Sequence, residues 1–220
     1  MIRKLLLVAA ATAMPIGLIA ATGGLANATA APPVNATNYT VNCTGIAGSA
    51  KFSPAVTSDE SAGTGTIAIK ATLSGCTATP TTGGTAVTIT SAKVAGTLSS
   101  TRTAGENGCA ALAGGSDATG NLVTTWKTTP KLVSATSTIK VNSIAGSIGG
   151  DGNAYFNIPG TVPNGTASGS FQGTNGGASD ATSAQTTTSA AAIATTCVGK
   201  KGLKSIDITT PHSGDAVTLG

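Results

Sequence analysis

Charge, aromatic rings and histidine are all scarce in this sequence, and each shortage removes a class of function. Only 9% of the 220 residues are charged, the rings are three Phe, two Tyr and one Trp, and His212 is the single histidine. Nucleic-acid binding calls for a continuous basic stripe with interleaved stacking rings. Here Lys51, Lys70, Lys93, Lys127, Lys131 and Lys140 stand apart along the chain, and only GKKGLK at 199–204 is a cluster. No nucleic-acid partner is expected. The chain has no CxxC and no histidine pair, the spacings that hold zinc, so neither a metal nor a cofactor is expected. A serine triad would have to enlist His212 with Ser213 or a distant serine and with Asp215 or Asp207. No GxSxG elbow is present to bring them together. His212, in TTPHSGD, reads as a solvated turn residue, and no catalytic residue is assigned.

What is present points to a lean folded chain. Low Leu, Ile, Val and Phe signals disorder when net charge is high, but the net charge here is only +4. The core must then be Val, Ile and Leu with a few rings, in one domain or at most two small ones. Residues 1–30 read as a signal peptide: Arg3 and Lys4 form a basic start, an apolar stretch follows, and ANATA at 26–30 supplies the small residues of a cleavage site after Ala28 or Ala30. Pro15, Gly17, Gly23 and Gly24, with no flanking charge cluster, argue against a retained membrane anchor. No lipobox precedes Cys43, and GDAVTLG at 214–220 carries neither a sorting motif nor an anchor. Residues 31–220 are therefore expected as a single secreted domain with no membrane span. Losing Arg3 and Lys4 lowers the basic count from 12 to 10 against 8 acidic residues, a net charge of +2. The whole-chain isoelectric point near 9.0 overstates the basicity of this mature part.

Four cysteines, Cys43, Cys76, Cys109 and Cys197, all follow the cleavage site, an even number in a chain addressed to an oxidising space. They are expected to form two disulfides. Three connectivities are open; the favoured one joins Cys43 to Cys76 and Cys109 to Cys197, because the first pair brackets two consecutive extended segments that would lie side by side. In the chain-entropy account, loops of these sizes contribute about 3–5 kcal/mol each.

Extended segments dominate the mature chain. After a polar lead-in at 31–38, YTVNCTGI sets Tyr39, Val41 and Cys43 on one face, and SAKFSPAV places Phe52 beside a breaker, Pro54. In TIAIKATLSGC, Ile67, Ile69, Ala71 and Leu73 alternate with Thr66, Lys70 and Thr72, the pattern of a strand wet on one side that stops at Gly75 and Cys76. Val87 and Ile89 are out of phase with Val94 and Leu98, so a bulge or bend is predicted near Ser91 and Ala92. A short helical turn is expected at ENGCAALAGG with Asn107 as cap and Leu112 inward, and a helix at TTSAAAIATTCVG with a Ser or Thr cap. Further strands carry Leu122 with Trp126, Ile139 with Val141, NAYFNIPG, GTASGSFQG, LKSIDIT and DAVTL; residues 173–187 read as loop or edge strand. VAGTL at 94–98 echoes IAGSI at 144–148, as a duplicated hairpin would, or by chance in so repetitive a composition. The fold class is all-β: a disulfide-stapled β-sandwich or related barrel with one or two short helices.

Other candidate features take structural readings. Asp59 and Glu60 lie in a glycine-bearing loop and read as a solvated turn rather than half of a glycosidase pair. IGGDGNAY at 148–155 lacks the spaced acids of a calcium loop and reads as a β-turn at Asp151 and Gly152. Trp126, Tyr155 and Phe156 raise a sugar-stacking face, against which Trp126 and Phe156 read as core anchors. Sequons stand at Asn35, Asn38, Asn42 and Asn164 and matter only in a eukaryotic secretory pathway.

The motifs KFSPAV, GTIAIKATLSGC, GCAALAGG leading to WKTTPKL, and an alanine-rich helix ending in Cys before GLKSIDIT together resemble a set of secreted β-rich proteins of actinobacteria. The resemblance covers most of the chain and implies a secreted β-rich fold, with no activity attached. The expectation is a non-enzymatic extracellular or envelope-associated protein whose partner is a cell-envelope polysaccharide or surface protein. The alternatives are a carbohydrate- or ligand-binding module and, behind it, a secreted hydrolase. A pilin-like variant of the first would need an open groove and a mobile N-terminal extension at 31–38.

Overall fold

The computed structural model of the chain describes residues 30–114, 117–148, 153–161, 169–171, 180–210 and 217–219. The expected signal peptide but for Ala30, His212, Ser213, Asp215, Asn164 and the expected turn at Asp151 and Gly152 lie outside the described residues. Among the described residues, ten strands and two helices follow in order: β1 Tyr39–Val56, β2 Gly63–Pro80, β3 Thr88–Arg102, α1 Gly108–Gly114, β4 Thr119–Thr129, β5 Thr136–Val141, β6 Ala145–Ile148, β7 Asn153–Thr161, β8 Asp180–Ser189, α2 Ala190–Val198, β9 Leu203–Ile208 and β10 Val217–Leu219.

All the strand ladders are antiparallel and belong to one sheet, with β9, β1, β2, β3, β4, β5, β7, β8 and β10 side by side and β6 attached to β7. The sheet curls until its ends meet, because β10 pairs with β8 through Val217 and Thr182 and with β1 through Val41 and Leu219. The all-β, disulfide-stapled expectation holds, and of its two architectures the chain takes the barrel-like one. One flank of β1 is shared: residues 41–43 face β10, while residues 48–51 and 56 face β9.

Alternation explains which residues fill the interior. Ile67, Ile69, Ala71 and Leu73 of β2 are buried, as are Val94 and Leu98 of β3, Leu122 and Trp126 of β4, and Ile139 and Val141 of β5, all in one core. The phase change in β3 has the predicted cause, a register break against β4 between Ile89 and Ser91. Two boundaries differ from the sequence reading. β1 is continuous through Gly45 and Gly48, where a side chain at Gly48 would strike the Lys70 carbonyl of β2. β2 does not stop at Cys76 but runs on to Pro80, with Gly75 at φ +60° switching the buried face. The strand therefore passes through its predicted terminator, since glycine permits the left-handed step that an interruption of alternation needs. Pro54 lies beyond the β1–β2 ladder, which ends at Ser53 and Thr66, and in the irregular stretch facing β9. Of residues 173–187, read as loop or edge strand, 180–187 lie in β8, which is paired on both sides, and 173–179 lie outside the described residues. The echo at 94–98 and 144–148 has no structural counterpart: the first lies in β3 between β2 and β4, the second spans β6, which pairs with β7.

Both disulfides have the favoured connectivity. Cys43 and Cys76 are direct cross-strand partners with Cα atoms 3.9 Å apart, and Cys109 of α1 meets Cys197 of α2 across 6.1 Å. The helix caps are also those predicted: Asn107 Oδ1 accepts from the Ala110 N–H at 3.1 Å, and Ser189 Oγ from the Ala192 N–H at 3.2 Å.

Four separate stretches close one end of the barrel. Phe171, wholly buried at φ +61°, stands edge-on to Trp126 and Tyr39 with ring centroids 5.0 and 6.1 Å away. Trp126 Nε1 donates to Ser137 Oγ at 2.8 Å, and that hydroxyl donates to the Ser170 carbonyl. The Phe171 N–H reaches the Ala36 carbonyl, while Val34 bonds through its N–H and its carbonyl to residues 131 and 133. Residues 31–38 are therefore no loose extension: Ala36 is wholly buried, and the donor-strand variant loses the mobile segment it requires.

Candidate functional site

At the opposite end, the chain places its one arginine after Arg3. Arg102 ends β3, where the alternation turns its side chain toward the final turn of β1. Its Nη1 donates to Glu60 Oε2 at 2.6 Å and to the Ala55 carbonyl at 3.1 Å, and Nη2 donates to the Pro54 carbonyl at 2.8 Å. Glu60 Oε1 accepts from the Thr57 N–H at 2.9 Å. The Glu60 main chain then bonds to Gly105 and Glu106, tying the β1–β2 loop to the turn that leads into α1. Both charged side chains are more than nine-tenths buried. A planar guanidinium suits such a site because it supplies several donors in a fixed fork, which an ammonium does not.

Two glycines make room for this pair. A Cβ at Gly65 would overlap Arg102 Nε, and one at Gly108 would overlap Glu60 Oε1. The reading of Asp59 and Glu60 as a solvated turn is thus half corrected: Asp59 is exposed, but Glu60 is buried because Arg102 and the Thr57 amide satisfy its carboxylate. Sequence reasoning passed over Arg102, and the available signal was its singularity after Lys4, where every other cationic side chain is a lysine.

Above the pair opens a cleft of about 560 Å³, with Phe52, Val56, Ile67, Leu112 and Ile144 as apolar wall and Glu106 and Asp117 at an exposed acidic rim. Each Glu60 carboxylate oxygen already accepts a hydrogen bond, so the group is held as a brace. The floor of this cleft is built for rigidity, while the rim offers carboxylates to a cationic or hydroxylated ligand.

The remaining candidates disperse. Trp126 and Phe156 are core residues at 3% and 7% exposure, and Tyr39, Phe52 and Phe171 are buried too. Tyr155 is half-buried, so none of the six rings offers an exposed stacking face. Asp207, named with His212 for a triad, faces outward on β9 opposite Ser49. Among the described residues, no group of three or more His, Cys, Asp or Glu is placed to hold a metal ion, and no helix is long and apolar enough to cross a membrane.

The outer face of β1–β5 is a broad polar surface. Ladder register sets Lys51, Ala68, Thr97, Asn121 and Lys140 in one row; the next holds Ser49, Lys70, Ala95, Val123 and Thr138, and a third holds Ala47, Thr72, Lys93, Thr125 and Thr136. Comparison of the chain with protein-family models, with curated proteins and with solved structures gives no match in any of the three.

Proposed function

We propose that this is a secreted, non-enzymatic protein that works outside the cell, held at the envelope through the polar outer face of β1–β5. That face is the observation that carries the reading: three ladder rows of Lys, Thr, Ser, Asn and Ala with a single large apolar side chain, Val123. Hydroxyl, amide and ammonium groups in a regular array on the outside of a curled sheet suit a hydrated polymer or a polar protein surface. A lipid-facing barrel needs an apolar band instead. Two disulfides support the extracellular setting, since such bonds persist in oxidising compartments. The test is to separate a producing culture into medium, washed envelope and membrane and to weigh the intact protein in each. Recovery in the washed envelope, at the mass of a chain cut after Ala28 or Ala30, is the expected result; recovery in the medium alone overturns envelope association.

A second reading, a binding module for a small ligand, is favoured by the cleft over Arg102 and Glu60. It predicts saturable protection of the Glu106 and Asp117 rim from carboxyl-modifying reagent when a ligand is added. Unchanged modification across a library of cationic and sugar ligands counts against it.

A further inference from the structure

Four lysines that stand far apart in sequence fall on one diagonal of the sheet's outer face. Lys70 faces Ser49, two residues along β1 from Lys51; Lys93 faces Thr72, two residues along β2 from Lys70; Lys127 faces Ser91, two residues along β3 from Lys93. Each step crosses one strand and moves one same-face row in the same direction, so Lys51, Lys70, Lys93 and Lys127 form a continuous diagonal over β1–β4. All four are exposed. Diagonal neighbours on a sheet face are about 7–8 Å apart, so the line spans about 22 Å.

This arrangement does nothing for the fold. Among the described residues the only ion pair is Arg102 with Glu60, so no lysine of the diagonal has a carboxylate partner there. Like charges at this spacing lie within a Debye length of about 8–10 Å and repel. Asp207 faces Ser49 and so stands diagonal to Lys51, one acid beside the first of four lysines, and the acids Asp59, Glu60, Glu106 and Asp117 belong to the barrel end. The side chains that flank the diagonal within its rows include the small or hydroxylated Ala68, Ala95, Thr72 and Thr125, with Val123 the one large apolar group nearby.

We infer that the Lys51–Lys70–Lys93–Lys127 diagonal is a docking track for a linear acidic polysaccharide, whose carboxylates meet the four ammonium groups while its hydroxyls meet Thr72 and Thr125. The inference rests on the envelope reading above and names the partner of that face. The track offers one positive charge per about 7–8 Å, a spacing that polyanions of several kinds can meet, so the choice of polymer rests on what else lies on the face. A single-stranded nucleic-acid track also uses stacking rings, and no ring lies on this face.

The test uses the full mature protein and polygalacturonate as probe, with dextran as the neutral control and single-stranded DNA as the competing polyanion. Wild-type protein should bind polygalacturonate with a slope of about −3 in log K against log salt, the value for four lysine contacts on a single-stranded polyanion. The quadruple variant Lys51→Gln, Lys70→Gln, Lys93→Gln, Lys127→Gln should lose at least about 30-fold in affinity at low salt and flatten that slope. Removing charge off the track, Lys131→Gln, Lys200→Gln, Lys201→Gln, should stay within about 2-fold of wild type. Equal losses in the two variants, tighter binding to DNA, or no binding to polygalacturonate each overturn the track. Fractionating all three proteins separates the two ideas. A track variant released into the medium while wild type and control stay on the envelope supports both; a track variant retained like wild type removes the track and leaves envelope association standing. Wild type found in the medium alone removes envelope association, and the solution binding then decides the track by itself.

Discussion

The two ends of the barrel are closed by opposite means. At one end Tyr39, Trp126 and Phe171 pack edge to face beneath the segment at 34–36, and the cross-strand disulfide Cys43–Cys76 lies in β1 and β2 on the same side. At the other, one buried ion pair knots the β1–β2 loop to the end of β3, and Cys109–Cys197 ties α1 to α2. A cluster of rings resists through many small contacts, whereas the knot depends on two side chains that are costly to leave unpaired. A chain with six rings in all has closed one end with three of them and relied on charge and a staple at the other.

Removing a member from each end should break this comparison where it is strongest. Trp126→Ala deletes the ring against Phe171 and the donor to Ser137, and should cost about 3–5 kcal/mol in urea unfolding. A loss under about 1 kcal/mol would mean that the aromatic end is not a packed unit. Arg102→Met leaves Glu60 buried without its counter-charge, for a similar or slightly smaller loss of about 3–4 kcal/mol. Arg102→Met combined with Glu60→Leu should recover more than half of it, because replacing a whole buried pair by apolar groups is often neutral. A double variant no better than the single one would show that the main-chain bonds of Arg102 to Ala55 and Pro54 matter more than its charge pairing.

The disulfides sharpen the contrast at smaller scale. Their sequence separations are 33 and 88 residues, so loop entropy alone makes them differ by less than about 1 kcal/mol. Geometry separates them further. Cys43→Ser with Cys76→Ser leaves the long β1–β2 ladder in place, and should lower the melting temperature by about 5–10 °C with little change in the local pattern of hydrogen exchange. Cys109→Ser with Cys197→Ser should lower it by a comparable amount but also raise exchange selectively in residues 108–114 and 190–198. Identical exchange maps for the two variants would refute a division of labour. Smallest of all, Gly65→Ala crowds Arg102 and should cost about 1–3 kcal/mol; in the Arg102→Met background that cost should shrink to a few tenths, as coupled positions do.

Much of the local structure was legible because it depends on near neighbours. The alternation at 67–73, the break between Ile89 and Ser91, and the caps at Asn107 and Ser189 are each settled within a few residues. The cysteine pairing was legible for a related reason, since Cys43 and Cys76 flank one hairpin. Pairing partners far apart were not. A period of two tells which face a residue takes but not which strand lies beside it, so the return of β10 to β1 and the alignment of Lys51 with Lys127 follow only from register. Glu60 was misread for the same cause: a carboxylate beside Gly63 and Gly65 reads as solvated until Arg102, distant in sequence, is brought against it. At the candidate cleft, Leu112 was legible as inward-facing, but its acidic rim was not.

The pairing of Val41 with Leu219 also sets an order of events. Chains are made from the N-terminus onward, so β1 exposes an unpaired edge at residues 41–43 until Val217–Leu219 have been synthesised. Contacts of such long range are slow to form, because loop-closure entropy must be overcome before they stabilise anything. The nascent barrel is thus an open, sticky-edged sheet for most of its making, and its final three-residue strand acts as a latch on the folding reaction.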